Sequence, residues 1–469
     1  MNWSGKHVSV VGLGKSNVAL IRYLVREGAI VTARDRKTQE ELGPVYDQLS
    51  ALGVDFRLGR DYLKGLRFAD GVFLTPGMPK DLPEILDARR AGVPISTEIN
   101  LFFERCGAPI IGVTGSSGKT TTTTLIGAIL EATGHKVYVG GNIGRPLIEL
   151  VDEIEKSAVV VLELSSFQLE LLEASPQVAV VTNISPNHLD IHRTMEAYVS
   201  AKERIFQFQR PQEAVILNRD DPATRAMAEK APSRVFWFSR RGEVDNGAFI
   251  CDGRVILSRR GEDRSLIDVC AVADIRLRGE HNLENVLAAC AVGYLLGATA
   301  GTMREVVTSF TGVAHRLELV REAGGVRYYN DSIATSPARA IAGLRSFDEP
   351  VLLIAGGYDK QLPLDEFAEV VVEKAKAVFL IGQTARKIQE AILKARGERD
   401  RPRIVMCESL DEAVQAAHRA ASPGDVVLLS PACASYDMFQ NFEQRGERFR
   451  KLVHMLTEEE VPKISRVDV

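Results

Sequence analysis

Short apolar runs alternate with amphipathic segments through the first hundred residues of the chain. The runs at 8–11, 30–34 and 68–74 predict buried strands, and the segment that follows 12–17 predicts an amphipathic helix up to about residue 28, between the first two strands. Strands that alternate with helices form βαβ units, so this region predicts a parallel, doubly wound sheet.

Two further blocks repeat this alternation. Runs at 110–113, 137–139, 159–162 and 178–182 predict a central sheet. A segment rich in charge and turns follows over about 218–280, with short strands at 235–238, 249–251 and 254–257, and then a helix that ends near 296. From about residue 315, runs at 327–329, 351–355, 377–381, 403–406 and 426–429 predict a second open α/β sheet.

A turn of small residues joins the run at 110–113 to a helix. In order, it reads Gly115, Ser116, Ser117, Gly118, Lys119, Thr120, Thr121. Small residues let backbone N–H groups approach phosphate oxygens, the lysine reaches the terminal phosphates, and a threonine hydroxyl can bind Mg²⁺. Val113 stands where the usual phosphate-loop pattern has its first glycine, but the order of strand, turn, lysine and helix still predicts a nucleotide phosphate site.

The first turn of the chain resembles a dinucleotide-binding fingerprint. Gly12 and Gly14 match it, whereas Asn17 replaces the third glycine. Asp35 lies about 20 residues further on, where an NAD enzyme places its ribose-binding acid. A nicotinamide site is therefore an open alternative, and another nucleotide at the same position is the favoured interpretation.

Two strands of the central block end in candidate metal ligands. Glu163 follows the run at 159–162, and His188 follows the run at 178–182. Ligands in open α/β sheets bind beyond the carboxyl ends of the strands, and Mg²⁺ often takes one or two carboxylates together with substrate phosphates. By composition alone, Lys202 is predicted to be an exposed lysine on a helix.

The composition narrows the class of protein. Hydrophobic residues make up 45% and charged residues 26% of the chain, and the net charge is −4, which argues against a dedicated nucleic-acid or anionic-membrane binder. No apolar run reaches about 18 residues, so we expect no transmembrane helix, and we expect no signal peptide. The six cysteines lack C-x-x-C spacing, which suits a reducing cytosol.

The phosphate-loop motif and several others resemble the motifs of the Mur ligase family, and they occur in that family's order over essentially the whole chain. The further motifs are Gly140-Gly141-Asn142-Ile143-Gly144, Glu163-Leu164-Ser165-Ser166-Phe167-Gln168, Asn183-Ile184-Ser185-Pro186-Asn187-His188-Leu189-Asp190, Ala201-Lys202, His281-Asn282-Leu283-Glu284-Asn285, His315-Arg316-Leu317-Glu318, Asn330-Asp331-Ser332, Ser430-Pro431-Ala432-Cys433-Ala434-Ser435 and Asn441-Phe442-Glu443-Gln444-Arg445-Gly446.

The resemblance implies an α/β fold of three domains. They are a Rossmann-like N-terminal domain over 1–98 for the UDP-sugar, a P-loop ATPase-like central domain with a mostly parallel sheet over 99–312, and a Rossmann-like C-terminal domain over 313–469 that binds the amino acid and closes. It also implies an ATP-dependent amide ligase with ATP and Mg²⁺ as cofactors. In that reaction UDP-N-acetylmuramoyl-L-alanine forms an acyl phosphate, and the amine of D-glutamate displaces the phosphate, as a step in peptidoglycan precursor synthesis.

The resemblance also implies roles for individual residues. The implied catalytic residues are Lys119, Glu163, His188 and Lys202, the last as a carbamylated lysine. The implied metal ligands are Thr120, Glu163, His188 and Lys202. The implied ATP contacts are Gly115, Ser116, Ser117, Gly118, Lys119, Thr120, Thr121, Asn282, Asn285, Arg316 and Asp331. The implied UDP-sugar contacts are Ser16, Asp35, Arg36, Thr75, Gly77, Asn142, Ser165, Gln168 and His188. The implied glutamate contacts are Thr335, Lys360, Ser435 and Phe442.

Two departures from the family pattern affect the predicted glutamate site. Ile333 stands where many relatives have lysine, and Tyr436 stands where some have leucine. They leave the stereochemistry of the glutamate open, since some related ligases add L-glutamate. We expect a cytoplasmic monomer that acts on small molecules and binds neither nucleic acid nor a membrane.

Other classes remain as alternatives. A folylpolyglutamate synthase shares the ATPase domain but lacks the Gly-x-Gly N-terminal domain. A Mur ligase that adds L-alanine usually has histidine where this chain has Ser117. Asn17 counts against a dehydrogenase. The joint presence of Lys119, Glu163, His188 and Lys202 counts against a non-catalytic nucleotide-binding regulator.

Overall fold

Parallel strands alternate with helices through most of the chain. The computed structural model describes residues 2–259 and 265–457, and the strands within those ranges form three sheets. Short, apolar strands such as the one at 159–163 are buried along their whole length, as expected for sheets with helices on both faces. None of the helices described combines the length and apolar character needed to cross a bilayer.

The first sheet is entirely parallel. Its strands are β1 (His7–Val11), β2 (Ile30–Asp35), β3 (Asp55–Leu58), β4 (Gly71–Leu74) and β5 (Ile95–Ser96), and its helices are α1 (Lys15–Arg26), α2 (Gln39–Leu42), α3 (Pro44–Ser50), α4 (Pro83–Arg90) and α5 (Glu98–Arg105). The strand order is β3-β2-β1-β4-β5. The order therefore reverses between β1 and β4, which is the position where doubly wound sheets bind ligands.

The central sheet combines a parallel body with an antiparallel edge. Its strands are β6 (Ile110–Thr114), β7 (Val137–Gly141), β8 (Val159–Glu163), β9 (Val178–Val181), β10 (Ala214–Asn218), β11 (Arg234–Ser239), β12 (Gly247–Cys251), β13 (Arg254–Arg259) and β14 (Ser265–Ala271). The order is β14-β13-β12-β11-β10-β9-β6-β8-β7, and among the described strands of this sheet only the pairs β12–β13 and β13–β14 are antiparallel. The helices are α6 (Lys119–Ala132), α7 (Ser166–Leu169), α8 (Leu189–His192), α9 (Met195–Gln207), α10 (Pro222–Met227), α11 (Glu280–Leu295) and α12 (Ala300–Ser309).

The third sheet has the order β15-β16-β20-β17-β18-β19. Its strands are β15 (Glu318–Ala323), β16 (Val326–Asn330), β17 (Val351–Gly356), β18 (Ala375–Ile381), β19 (Arg403–Met406) and β20 (Val426–Leu429). Its helices are α13 (Pro337–Leu344), α14 (Asp365–Lys374), α15 (Ala385–Arg396), α16 (Leu410–Ala420) and α17 (Phe442–Met455). β15 and β16 form an antiparallel hairpin, and the other pairings are parallel.

The chain divides into two units with dense internal packing. One unit comprises residues 1–276 and 280–310 and holds the first two sheets, and the other comprises 277–279 and 311–469 and holds the third. The predicted α/β class is confirmed. The domain boundaries at 98/99 and 312/313 stay a prediction.

Several predicted elements differ from the structure. The strand predicted over 68–74 begins only at Gly71, because Phe68 belongs to a 3-10 turn (Leu66–Phe68) and is 82% exposed. The strands β3, β5, β10, β14 and β15 were not predicted. Four of them, β3, β5, β14 and β15, are short or half-buried edge strands, so the apolar signal they give is weak.

Candidate active site at the phosphate loop

The turn between β6 and α6 has backbone conformations that require glycine. Gly118 is the residue before α6 and has a φ of 79°, and Gly115 has a φ of 147°. A side chain at Gly118 would collide with Asn285, and one at Gly115 would collide with Thr182. The two glycines therefore allow the Asn285 and Thr182 side chains to approach the backbone of the turn closely at the start of the helix, where an anion is favoured.

The segment that follows β9 fixes the shape of this turn. The Thr182 hydroxyl donates to the Ser117 carbonyl (2.6 Å), and the Ser117 N–H donates to Asn183 Oδ1 (3.0 Å). The Ser116 hydroxyl donates to the Ser185 carbonyl (2.9 Å). Because β6 lies between β9 and β8, the turn is held from one side by residues after β9 and faces residues after β8 on the other.

Glu163 is the acid of the site. It ends β8, is 2% exposed, and accepts one hydrogen bond from Thr120 Oγ1 (2.7 Å) and another from Asn142 Nδ2 (2.9 Å). The predicted residues Thr120, Glu163 and Asn142 are thus brought into direct contact. A hydroxyl next to one carboxylate is a donor set that suits Mg²⁺ when the ion also binds substrate phosphates and water.

The described side chains alone supply too few ligands for a complete Mg²⁺ site. Within the described ranges, no group of three or more His, Cys, Asp or Glu side chains could hold a metal ion. The donors present therefore fit an ion that is shared with a nucleotide rather than a preformed protein cage.

Two lysines converge on the Gly115 carbonyl. Lys119 Nζ donates to it at 2.9 Å, as does Lys202 Nζ at 2.9 Å. Lys202 is 1% exposed, so the expectation of an exposed helix lysine is wrong. Burial, and then the neighbouring Lys119 ammonium, hold the pKa of Lys202 well below its usual range.

Tyr198 is a residue of this site that the sequence analysis missed. It lies one helical turn before Lys202 on α9, and the Lys202 ammonium sits 4.7 Å from the centre of its ring. Its hydroxyl is 2.9 Å from Ser116 Oγ in the turn. The spacing of four residues on a helix is the signal that would have paired it with Lys202.

His188 is connected to the site through a ring contact with Phe167. It is exposed, has a φ of 55°, and its ring lies edge-on to Phe167, with 5.1 Å between ring centres. Phe167 belongs to α7, which directly follows the segment after Glu163, and its other partner is the stacked ring of His192 at 4.9 Å. The structure therefore places His188 beside the same strand end as Glu163.

Asn282 and Asn285 lie behind the phosphate loop on α11. Asn285 Oδ1 accepts from Thr122 Oγ1 (3.2 Å), and Asn285 Nδ2 donates to Asn282 Oδ1 (2.9 Å). Both side chains are buried, at 8% and 3% exposure. Their predicted contact with adenine stays a prediction.

The UDP-sugar residues predicted in the first sheet lie at the carboxyl ends of its strands. Asp35, at the end of β2, accepts from the N–H groups of Leu13 (2.7 Å) and Lys37 (3.0 Å), so it shapes the first turn. Thr75 follows β4 and packs against Gly12. Ser16 is half-buried in the first turn of α1, whereas Arg36 is exposed.

The remaining UDP-sugar residues connect this sheet end with the central one. Gly77 has a φ of 83° and lies against the ring of Phe167. Ser165 and Gln168 form a capping box at the start of α7, in which each side chain accepts from the backbone of the other. Their local hydrogen bonds explain both residues without a ligand, so their sugar contacts stay a prediction.

The C-terminal unit contains a buried acid near the end of β16. Asp331 accepts from Ser430 Oγ (2.8 Å) and from the Leu317 N–H (3.3 Å). Burial raises the pKa of Asp331 to about 7, and Arg316 and Arg339 oppose that rise. Arg316 and Asp331 are thus neighbours, as their shared prediction as ATP contacts requires.

A pocket lies at the carboxyl ends of β17 and β20 in the same unit. Its lining includes Thr335 and Lys360, which are two of the predicted glutamate contacts. Ser435 is buried after β20, and Phe442 begins α17. The pocket lining as a whole is Thr335, Pro337, Tyr358, Asp359, Lys360, Leu362, Leu364, Thr384, Ala432 and Cys433.

Arg445 is a second residue that the sequence analysis did not select. It is 1% exposed on α17, and its guanidinium donates to the carbonyls of Ser332 (2.9 Å), Cys433 (3.1 Å) and Ala434 (3.2 Å). These bonds tie the loop after β16 to the loop after β20. Arg445 Nε also donates to Ser332 Oγ (3.0 Å), but most of the partners are backbone carbonyls, which sequence pattern alone could not identify.

The fold and the phosphate loop define an α/β enzyme that binds a nucleotide. Family models match the chain in three parts: a MurD-like Mur ligase N-terminal domain over 6–97, the Mur ligase middle domain over 113–293, and the Mur ligase glutamate ligase domain over 315–433. The chain belongs to the Mur ligase family.

Curated relatives match over nearly the full length of the chain. A UDP-N-acetylmuramoylalanine–D-glutamate ligase from Symbiobacterium thermophilum is 55% identical, covering 96% of this chain and 98% of the relative. A protein of the same name from Acetivibrio thermocellus is 49% identical, covering 96% and 97%.

Solved structures support the fold. The UDP-N-acetylmuramate-alanine ligase of Thermotoga maritima has a TM-score of 0.57 at 20% identity, covering 96% of this chain and 99% of that one. The MurF ligase of Thermotoga maritima in complex with ADP has a TM-score of 0.54 at 18% identity, covering 96% and 95%.

Proposed function

We propose that this protein is an ATP-dependent ligase that joins D-glutamate to UDP-N-acetylmuramoyl-L-alanine through an acyl phosphate. The observation that carries this function is the 55% identity, over 96% of the chain, to a ligase of that name. The chemistry is supported by the phosphate loop, where Lys119, Thr120 and Glu163 lie together.

In the first step the substrate carboxylate must approach the γ-phosphate of ATP, and both are anions. The N–H groups at the start of α6 and the Lys119 ammonium place positive charge where the transferring phosphoryl group lies. Thr120 and Glu163 would hold Mg²⁺, and that ion, when bound, supplies Lewis-acid neutralisation of the phosphate oxygens. Asn142 keeps the Glu163 carboxylate oriented through its hydrogen bond.

In the second step the neutral amine of glutamate displaces phosphate from the acyl phosphate. We propose that Thr335 and Lys360, which line one pocket, bind the amino acid for this attack, together with Ser435 and Phe442. The uridine diphosphate is assigned to Ser16, Asp35, Arg36, Thr75 and Gly77 at the strand ends of the first sheet.

Lys202 is proposed to act as a carbamate. The ammonium first loses one proton, and the neutral amine then attacks CO₂, forms an N–C bond and releases a second proton, so that a cation is converted into an anion in total. Carbamylation requires the neutral amine, and the lowered pKa of Lys202 in its buried position provides it. An anion beside the Glu163 site would assist binding of a second cation.

The proposal also covers the cellular compartment and the oligomeric state of the protein. The protein acts in the cytoplasm as a monomer on small molecules, without nucleic acid or a membrane. All six cysteines are free, which suits a reducing compartment.

The reaction is tested by phosphate release from ATP. We expect release only when UDP-N-acetylmuramoyl-L-alanine and D-glutamate are both present, with L-glutamate, L-alanine and a folate as comparison substrates. Release that depends on L-glutamate would replace the assigned stereochemistry, and release that depends on the folate would favour the folylpolyglutamate synthase alternative.

A further inference from the structure

Arg339 is an exposed arginine on the first turn of α13, close to the pocket of the C-terminal unit. Its Nη1 donates to the Ile333 carbonyl at 3.3 Å. The backbone N–H of Thr335 donates to the same oxygen at 2.8 Å. Two donors on one oxygen are near neighbours, so the guanidinium stands beside Thr335, which lines the pocket.

The same helix turn also forms part of the pocket wall. Pro337, two residues before Arg339, lines the pocket directly. An arginine carries five N–H donors in a planar fork that matches a carboxylate, and the Ile333 carbonyl engages only one of its nitrogens. The bond to the Ile333 carbonyl, which also accepts from the Thr335 N–H, places the guanidinium beside the pocket and outside its direct lining, and the remaining N–H donors can bind an anion there.

The charged residues around the pocket are compatible with a second positively charged side chain that binds glutamate. Lys360 lines the pocket, whereas the nearby Lys387 is paired with Asp359 (3.1 Å). The neighbouring Asp331 already has other polar partners, since its oxygens accept from Ser430 Oγ and the Leu317 N–H. Glutamate has two carboxylates, and one lysine cannot pair with both at full strength.

We propose that Arg339 binds one carboxylate of the incoming glutamate, as the second cation of the pocket beside Lys360. This inference rests on the proposed function, because it takes glutamate as the amino acid that enters the pocket. It assigns to Arg339 a role in binding the amino acid and none in binding ATP or the UDP-sugar.

The test is steady-state kinetics of Arg339→Ala and Arg339→Gln, with the concentrations of glutamate, ATP and UDP-substrate varied in turn. Loss of a charged hydrogen-bonded pair predicts a rise in KM for glutamate of about ten- to a hundredfold. The KM values for ATP and the UDP-substrate should change less than about twofold, since the charge acts on the amino acid. Arg345→Ala, at the exposed opposite end of α13, is the matched control and should behave as the wild type.

A compensating variant strengthens the test. The Ile333 backbone lies against the Arg339 guanidinium, and the flexible four-carbon stem of a lysine at position 333 is long enough to return an ammonium to that region. Arg339→Ala combined with Ile333→Lys should recover part of the affinity for glutamate. Thermal melting of each variant separates a folding defect from a binding defect, and Arg339→Lys, which keeps the charge but loses the planar fork, should retain only part of the affinity.

The experiment distinguishes failure of the role of Arg339 from failure of the proposed function. A wild-type enzyme that releases no phosphate with D-glutamate would contradict the function itself. An active wild type whose Arg339→Ala and Arg339→Gln variants keep the KM for glutamate, or instead raise the KM for ATP, would overturn only the role of Arg339.

Discussion

Lys202→Ala separates a structural lysine from a carbamate that supports the reaction. The side chain is 1% exposed, donates to the Gly115 carbonyl and packs on the ring of Tyr198. A purely structural lysine should affect stability alone. A carbamate should affect the rate far more than it affects the fold.

The contacts of Lys202 determine the expected changes in the free energy of unfolding and in the reaction rate. Truncation to alanine removes three buried methylene groups, at about 0.8 kcal/mol each, and a hydrogen bond worth about 1 kcal/mol. Release of a poorly solvated amine offsets part of this loss, so we expect a destabilisation of about 2–3 kcal/mol. Lys202→Met keeps the packing and should cost less than about 1.5 kcal/mol. Both variants should lose about a hundredfold or more in rate, because a charged group is removed from a phosphoryl-transfer site.

The assay measures phosphate release at a temperature where both variants are folded, with and without added formate or acetate. A small carboxylate can enter the space left in Lys202→Ala and replace the anion, so activity should rise. In Lys202→Met the side chain fills that space, so no rise is expected. Binding of ¹³C-labelled CO₂ to the wild type, followed by NMR, detects the carbamate directly.

Two results would refute this reasoning. One is a Lys202→Ala enzyme within about threefold of the wild-type rate, since a catalytic carbamate cannot be dispensable. The other is equal response of both variants to formate, which would show that the added anion does not act at position 202.

Three further predictions follow from the other parts of the site. Lys119→Ala should lose about 3–4 kcal/mol of transition-state stabilisation, measured as kcat/KM, and a loss below about threefold would mean that this lysine does not act on the reacting phosphate. Asp331 has a folded-state pKa of about 7 against a usual 3.8, so its contribution to stability is present at low pH and is lost as pH rises towards 7. Thermal melts of Asp331→Asn should therefore show a gain over the wild type that grows from pH 5 to pH 8, and a constant difference would argue against the raised pKa. The N-terminal domain should bind UDP and not NADH in isothermal titration, because Asn17 replaces the helix-packing glycine, and the reverse result would restore the dehydrogenase alternative.

Much of the fold follows from local pattern. Glycines, a lysine and a threonine in fixed order after an apolar run predict the turn before α6, because backbone conformation and helix start are local properties. Strands buried on both faces give continuous apolar runs, and these predicted β6, β8 and β9 closely. Edge strands such as β3 and β15 lack such runs, and the sequence analysis therefore missed them.

The α/β class, the order of the motifs and the identity of the phosphate turn follow from the amino-acid pattern alone. The burial of Lys202, the contact of Tyr198 with the turn, and the link that Arg445 makes between two loops become visible only in the folded chain. Composition could not reveal these facts, since the burial of a helix residue depends on which distant strand its face packs against. The pKa of Lys202 follows from that burial, so its chemistry is a property of the assembled fold rather than of the residues around it in the sequence.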